Sequence, residues 1–327
     1  MSTHEAELSK SVTPPPAKQQ KTSSNRIAGL FREIWKYRLS YLFISPFVIA
    51  FMLFILLPVL AAFGLSFTDF NTIQFPKFIG WDNYEYIFSQ DTLFLKHAIP
   101  NTIKFAVLVG PGGLILSFIL AWLIAQIPDK IRLWFVLAIY APSLTGGVVM
   151  QIIWQPLLSG DRIGYLNSFL LQLGIIDEPQ LWVLDPAYLM NSMIIVTLWS
   201  SMGVGFLAML AGILNVDETL YEAGRLDGIK SRLQEIWYIT IPYMRPQMLF
   251  ASVMAIVSAF KAGAIGEQLS QTKPTPEYAG HTLVNHIDDY GLVRFEMGYA
   301  AALSVVLLIT IYIFNRLSWR LFGTKGE

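Results

Sequence analysis

Six stretches of this 327-residue chain carry no Asp, Glu, Lys or Arg: residues 39–68, 105–128, 133–160, 186–216, 246–260 and 297–315. A helix that crosses a bilayer needs about 20 mostly apolar residues. All but one of the stretches reach or nearly reach that length. The exception, 246–260, stops at Lys261, and the apolar run 262–266 extends it. Six spans predict an all-α, polytopic membrane protein of the channel, transporter or receptor kind, not a chain held by one anchor. Composition agrees: 14% of residues are charged, against about 25% in a soluble domain. The zero net charge argues against a nucleic-acid partner, and the absence of cysteine excludes disulfide and thiol chemistry.

Lys and Arg set the expected orientation. With a cytoplasmic N-terminus, sixteen of the 23 lie in the inner regions: seven before the first span, then two, four and three. The positive-inside rule therefore places both termini in the cytoplasm. Residues 1–25 are polar, with prolines at Pro14 to Pro16, and read as a disordered cytoplasmic tail. They hold no short apolar core with a cleavage site, so a signal peptide is not expected. In 26–40, Ile27, Leu30, Phe31, Ile34 and Trp35 fall at helical spacing among basic residues. That pattern suits an amphipathic helix lying on the inner leaflet, or a plain lead-in to the first span. The membrane domain is expected over 41–320, with a short cytoplasmic tail at 321–327.

Pro46, Pro58, Pro111, Gly112, Gly113, Pro142 and Pro156 fall inside the spans. Such breakers are tolerated where neighbours satisfy the freed backbone groups, which favours a bundle with an internal pathway. The long loops 69–100, 159–186 and 267–296 either bind something outside or merely cap the bundle.

The loop 215–245 holds the largest polar island between Trp182 and Gly266. Asn215 with Glu218 approaches a capping box, predicting a helix to about Leu226. Gly228 suits a left-handed C-terminus. Ser231 with Gln234 forms a second capping box, opening a helix with Leu233, Ile236 and Trp237 on one face. Pro242 and Pro246 then redirect the chain. Ala223 and Gly224 make a small-residue patch that would let another surface approach closely. The loop is thus a docking element or an amphipathic connector.

Glu222-Ala223-Gly224, Asp227-Gly228 and Ile239-Thr240-Ile241-Pro242 resemble the EAA motif of ABC importer permeases. LSFTDF at 65–70, FIGWDNY at 78–84, Asn101-Thr102 and FEMGYAAAL at 295–303 are similar, more narrowly, to the MalF/UgpA-type carbohydrate permeases. The resemblance covers roughly residues 41–320. It implies the type I ABC importer permease fold with six transmembrane helices. It implies that 215–245 forms coupling helices seated on a separate ATPase, with Glu222, Ala223, Gly224, Asp227, Gly228 and Pro242 making or shaping the contact. It implies four kinds of partner: a second permease subunit, by family habit forming a heterodimer; two ATP-binding subunits; an extracytoplasmic solute-binding protein; and a carbohydrate substrate. The place would be the bacterial or archaeal cytoplasmic (inner) membrane. Two departures stand out. The third motif position is Gly224 where the family has alanine, and the stretch from Gly228 to Pro242 is one residue longer than usual.

No G-x-x-x-x-G-K-[ST] motif occurs, so this chain has no P-loop of its own. It is read as a transport subunit without an ATPase site and with no cofactor, ATP and magnesium belonging to the partner. His281 and His286 lie near Asp288 and Asp289, but a five-residue spacing is not a helical ligand pair, so no metal is expected. Lys261 is the charge nearest the membrane interior. It either snorkels to the headgroups or takes part in the pathway. The resemblance places the substrate pathway on Ser200, Ser201 and Val204 and on Ala255, Ser258, Ala259 and Ala262. The second set is one helical face. Small faces also serve helix packing, and both uses remain open.

The function implied is import of sugars or oligosaccharides by alternating access. Importing another solute is the alternative within the class. A self-sufficient secondary transporter would need acidic or His coupling groups in the spans, and none of the six stretches has an acidic residue or a histidine. A membrane enzyme would need paired carboxylates or a nucleophile constellation there, and neither occurs.

Overall fold

A computed structural model of the protein describes residues 36–323 apart from Gly146. The readings made for residues 1–35 and 324–327 lie outside the described residues. The described chain is mostly helical, and its strands among the described residues form one two-stranded hairpin, β1 (Thr68–Asp69) against β2 (Lys77–Phe78). It divides into two compact units, up to Leu60 and from Ala61 onward.

The first unit holds most of α1 (Arg38–Leu65), a continuous apolar helix with a π turn at Met52–Leu56. That turn lies just ahead of Pro58, whose missing N–H would otherwise interrupt the ladder.

The second unit follows the hairpin. Its helices are α2 (Asp82–Ser89), α3 (Phe94–Ala125), α4 (Asp129–Tyr140), α5 (Gly147–Leu157) and α6 (Tyr165–Gln172). Next come α7 (Pro186–Ser200), α8 (Val204–Leu214), α9 (Glu218–Leu226) and α10 (Arg232–Glu235). The chain then passes a π turn at Ile236–Thr240 and one turn at Ile241–Tyr243. It ends with α11 (Arg245–Lys261), α12 (Ile265–Ser270), α13 (Leu283–Asp288) and α14 (Met297–Phe322).

Among the described residues, α1, α3 and α14 are long and apolar enough to cross a membrane alone; α7 and α8, bent by 47° at their junction, would make a fourth. The other two charge-free stretches do not form single long helices. Residues 133–160 break at Pro142 in a 3₁₀ turn, Ala141–Leu144, because proline cannot continue the ladder of α4. Residues 246–260 fall in α11, which has 17 residues. Pro111, by contrast, stays inside α3. The neighbouring Gly112 and Gly113 serve close packing: a methyl on Gly112 would sit 3.3 Å from Leu198 Cδ2, and one on Gly113 3.2 Å from Ser201 Oγ.

The centre of the unit is the mutual packing of α3, α8 and α11, with α14 against α11. Phe206, Met209 and Met244 are fully buried there beside Ala121 and Ala251. Small residues let the two helices that flank the 215–245 loop approach closely. A methyl on Gly205 would lie 3.3 Å from Ala251 Cβ, and one on Gly212 3.0 Å from Met244 Cε. Ser252 and Ser318 share a buried hydrogen bond of 2.8 Å that ties α11 to α14.

Candidate functional site

A cavity of about 390 Å³ opens where α3, α7, α8 and α11 meet. Its wall includes Ser200, Ser201, Val204, Ala255, Ser258, Ala259 and Ala262, the seven uncharged pathway positions read from the sequence. Lys261 is not in that wall; it is the exposed last residue of α11. The cavity also recruits Gly113 and Ser117 from α3, Ser143 from the turn after α4, and Thr197 from α7. Gly113 and Ser117 follow Val109 at four-residue spacing, a face that sequence reading could have found. Ser143 has no such signal, because only the tertiary fold brings it there.

No cavity-lining side chain among the described residues is charged. Six lining residues carry hydroxyls: Ser117, Ser143, Thr197, Ser200, Ser201 and Ser258. Thr197 donates to Met193 O at 2.7 Å and Ser201 to Leu198 O at 2.7 Å. Each hydroxyl spent on its own helix keeps lone pairs free to accept. The break between α7 and α8 adds a non-helical Gly203 to the same wall. The arrangement suits a neutral, hydroxyl-rich guest and offers no counter-charge to an ionic one.

The loop that joins α8 to α11 is a stapled unit. Asp217, not Asn215, caps α9: its side chain accepts from Thr219 N at 2.9 Å. Asn215 instead closes α8 and donates back to Ala211 O at 2.8 Å. The helix starts after Asp217 because Asn215 still belongs to the preceding turn. α9 ends at Leu226 and Gly228 takes a left-handed φ of 97°. Ser231 and Gln234 form the capping box of α10.

Gly224 is buried within the loop itself. A methyl there would lie 2.7 Å from Ile239 Cδ1 and 3.1 Å from Ile229 Cδ1. The expectation that Gly224 leaves room for a foreign surface is therefore corrected: the surface that approaches it is the loop's own second arm. Glu222, Ala223, Asp227 and Gly228 are exposed, and Pro242 sits in the single turn before α11.

Three polar contacts join the arms. Glu235, 7% exposed, accepts from Arg225 Nε of the other arm at 3.2 Å, and from Arg232 of its own helix at 3.3 Å. Tyr221 and Thr240 share a hydrogen bond of 2.9 Å. Tyr243 donates to Asn215 O at 3.3 Å and joins the two roots. Outside these staples, Leu226 (91% exposed), Leu233 (77%) and Trp237 (68%) stand out from the loop.

The stretches 65–70, 78–84 and 295–303 meet at one node. Asn83 donates to Ser66 O and Thr68 O at 2.9 and 3.1 Å. Gly298 N donates to Phe70 O at 3.0 Å, and a methyl on Gly298 would strike Thr68 O at 2.0 Å. Asn101 donates to Tyr278 O and His281 O, while Thr102 accepts from Leu283 N at 2.7 Å.

Beside this node lies Asp91, which the sequence reading missed because its side-chain partners lie 195 and 208 residues downstream. Its Oδ2 accepts from Tyr299 at 2.6 Å and from His286 Nε2 at 2.8 Å; Oδ1 accepts from Phe94 N at 2.9 Å. Burial alone would push the Asp91 carboxyl up, but these donors outweigh it and hold it at about 2. His286 Nδ1 in turn faces His281 Nε2 at 3.3 Å. Burial, then the neighbouring His286, pushes His281 down to about 4. The two histidines thus serve a hydrogen-bond chain. Among the described residues no group of three or more His, Asp or Glu is placed to hold a metal.

No protein-family model matches the sequence. The chain is 32% identical over 292 residues to the arabinooligosaccharides transport system permease protein AraP of Bacillus subtilis, covering 88% of this chain and 90% of AraP. It is 28% identical over 282 residues to the lactose transport system permease protein LacF of Rhizobium radiobacter, covering 85% and 92%. The crystal structure of a bacterial ABC transporter that imports the acidic polysaccharide alginate matches with a TM-score of 0.72 at 25% identity, over 89% of this chain and 98% of that one. A bacterial alginate transporter in complex with a pentasaccharide-bound periplasmic protein matches equally well, 0.72 at 23% identity over 90% and 99%, and bears on the fold alone.

Proposed function

The chain belongs to the permease subunits of carbohydrate ABC importers, and from that membership we propose how it is assembled and how it works. Its function is that of the transmembrane permease in a binding-protein-dependent importer of sugars or oligosaccharides. The chain pairs with a second, different permease and with two ATP-binding subunits that carry ATP and magnesium. A solute-binding protein delivers sugar on the side away from the ATPases. The membrane domain spans about residues 41–320 six times. Residues 133–160 form one broken span around the turn at Ala141–Leu144, and 246–260 form another, within α11. Both termini and the 215–245 loop face the cytoplasm of a bacterial or archaeal cell.

One observation carries this reading: α8 and α11 both line the hydroxyl-rich cavity and lead directly into and out of the stapled loop. Closure of the ATPases pulls the loop, through Glu222, Ala223, Asp227, Gly228 and the exposed Leu226 and Leu233. The displacement passes up two closely packed helices to the cavity walls. Gly224 and Pro242 shape the loop from within. Ser200, Ser201, Val204, Ala255, Ser258, Ala259 and Ala262 form the sugar's route, and Lys261 snorkels to the headgroups. The small walls accommodate a bulky oligosaccharide rather than gripping one ring.

Affinity purification from native membranes, with quantitative mass spectrometry, tests the assembly. A second permease in equal amount and a P-loop ATPase in twofold amount are expected. A chain that comes away alone and folded would overturn the reading.

A further inference from the structure

Glu235 is the buried carboxylate for which the transport reading has no use. Its side chain is 9% exposed, whereas those of Arg225 and Arg232 are 58% and 67% exposed. Arg225 comes from the other arm, α9, whereas Arg232 lies one turn before Glu235 on α10 itself. The carboxylate has left water; its partners have not. A well-packed apolar residue would hold such a joint at least as well, since desolvating an ion often costs more than its pairing returns. What a buried carboxylate adds is geometry: Arg232, one turn back on the same helix, orients the Glu235 carboxylate through Oε2, and Oε1 so placed takes Arg225 Nε from α9, so one charge-assisted bond sets one helix against the other. The second contact between the arms leans on the backbone of the same residue, which a side-chain substitution leaves in place. Thr240, bound to the Tyr221 hydroxyl, also lies 3.3 Å from Glu235 O. Leu226 and Leu233, the most exposed apolar side chains of the loop, are immediate sequence neighbours of the two arginines.

We infer that Glu235 is a positioning residue for energy coupling: by holding Arg225 of α9 from α10, with Arg232 orienting its carboxylate, it makes the two arms of the 215–245 loop move as one body. Without the clamp, α9 can shift against α10, and part of the imposed displacement is absorbed inside the loop instead of reaching α8 and α11. This rests on the reading that the loop docks on the ATPase.

The test uses the complete transporter, reconstituted in vesicles with its binding protein, its sugar and ATP. The readout is ATP hydrolysed per sugar taken up, together with each rate. Loss of stability alone lowers both rates together and leaves the ratio unmoved. Glu235→Gln keeps the shape and removes the charge. It is expected to assemble, to keep hydrolysing ATP, and to raise the ratio about tenfold, the factor that one lost charge-assisted bond represents. Glu235→Asp, which keeps the charge on a shorter stem, should restore part of the coupling. An unchanged ratio in E235Q overturns the inference. If E235Q does not assemble, E235D carries the test: a raised ratio supports the clamp and a wild-type ratio overturns it. A Leu226→Cys variant, cross-linked to the ATPase in an otherwise wild-type complex, separates the two ideas. Without a cross-link the docking reading fails, and the inference with it. With a cross-link and an unchanged E235Q ratio, the clamp alone fails.

Discussion

Asp91 and Glu235 are 4% and 7% exposed, yet their surroundings differ. Asp91 is held by two buried side chains, His286 and Tyr299, and a backbone N–H. Every member of that node is out of water, so the node has one arrangement. Glu235 is held by arginines whose side chains are more than half exposed, so its joint can be reached and reoriented from outside. The contrast teaches where this fold is fixed and where it can yield. The Asp91 node locks loops to the starts of α3 and α14; the Glu235 joint sits on the surface proposed to receive force.

If that contrast holds, breaking the node costs stability, and breaking the loop costs coupling. The largest effect is expected from Asp91→Ala, which strands the His286 and Tyr299 donors in the interior. Unpairing a buried charge network costs about 3–5 kcal/mol, so the thermal unfolding of the purified chain in detergent should move sharply downward. A wild-type transition would dissolve the distinction.

Acidification probes the same node more gently. His281 is held down to about 4 from its usual 6.5, first by burial and then by His286. Between those values the unfolded chain takes up a proton that the folded one refuses. Stability should therefore be full above pH 6.5 and fall as pH drops toward 4, by up to roughly 3 kcal/mol. Asp91 contributes nothing in that window, because its loss begins below its ordinary value of 3.8 and ends near 2. Replacing His281 with Gln should flatten the slope.

On the loop, Gly224→Ala should cost about 1 kcal/mol. Overpacking against Ile239 and Ile229 costs ~1–3 kcal/mol, partly offset by a gain of ~0.5–1 kcal/mol in helix propensity. Limited proteolysis of the loop would register it, and an unchanged cleavage rate would mean that the arms do not touch as described. The smallest effect belongs to Lys261→Met. With Lys261 exposed and outside the cavity wall, uptake should keep its KM, and stability should move by no more than about 0.5 kcal/mol. A large rise in KM would return Lys261 to the pathway.

Much of this was legible from residue types and local spacing. The capping box at Ser231, the left-handed Gly228 and the end of α9 at Leu226 depend on neighbours within four residues, and they fall where the pattern puts them. The seven positions that line the cavity came from the family resemblance, and the spacing of Ala255, Ser258, Ala259 and Ala262 puts four of them on one helical face. What was not legible depends on distant chain. Ser143 reaches the cavity from another helix pair. Asp91 finds His286 and Tyr299 from far along the sequence. Gly224 looked like a vacancy for a partner until Ile239 was seen to fill it. Asn215 misled because two caps lie two residues apart, and the C-cap of α8 claims it first.

The central claim is that the loop and the cavity walls move together through α8 and α11. The chain has no cysteine, so a single Ser258→Cys places one thiol in the cavity wall. Its reaction with a membrane-impermeant maleimide, added from either side of oriented vesicles, should be measured with the ATPases open and then locked by a non-hydrolysable ATP analogue. The account predicts labelling from the cytoplasmic side in the open state and from the opposite side in the locked state. Labelling from the same side in both states, in a complex that binds the analogue, would contradict it.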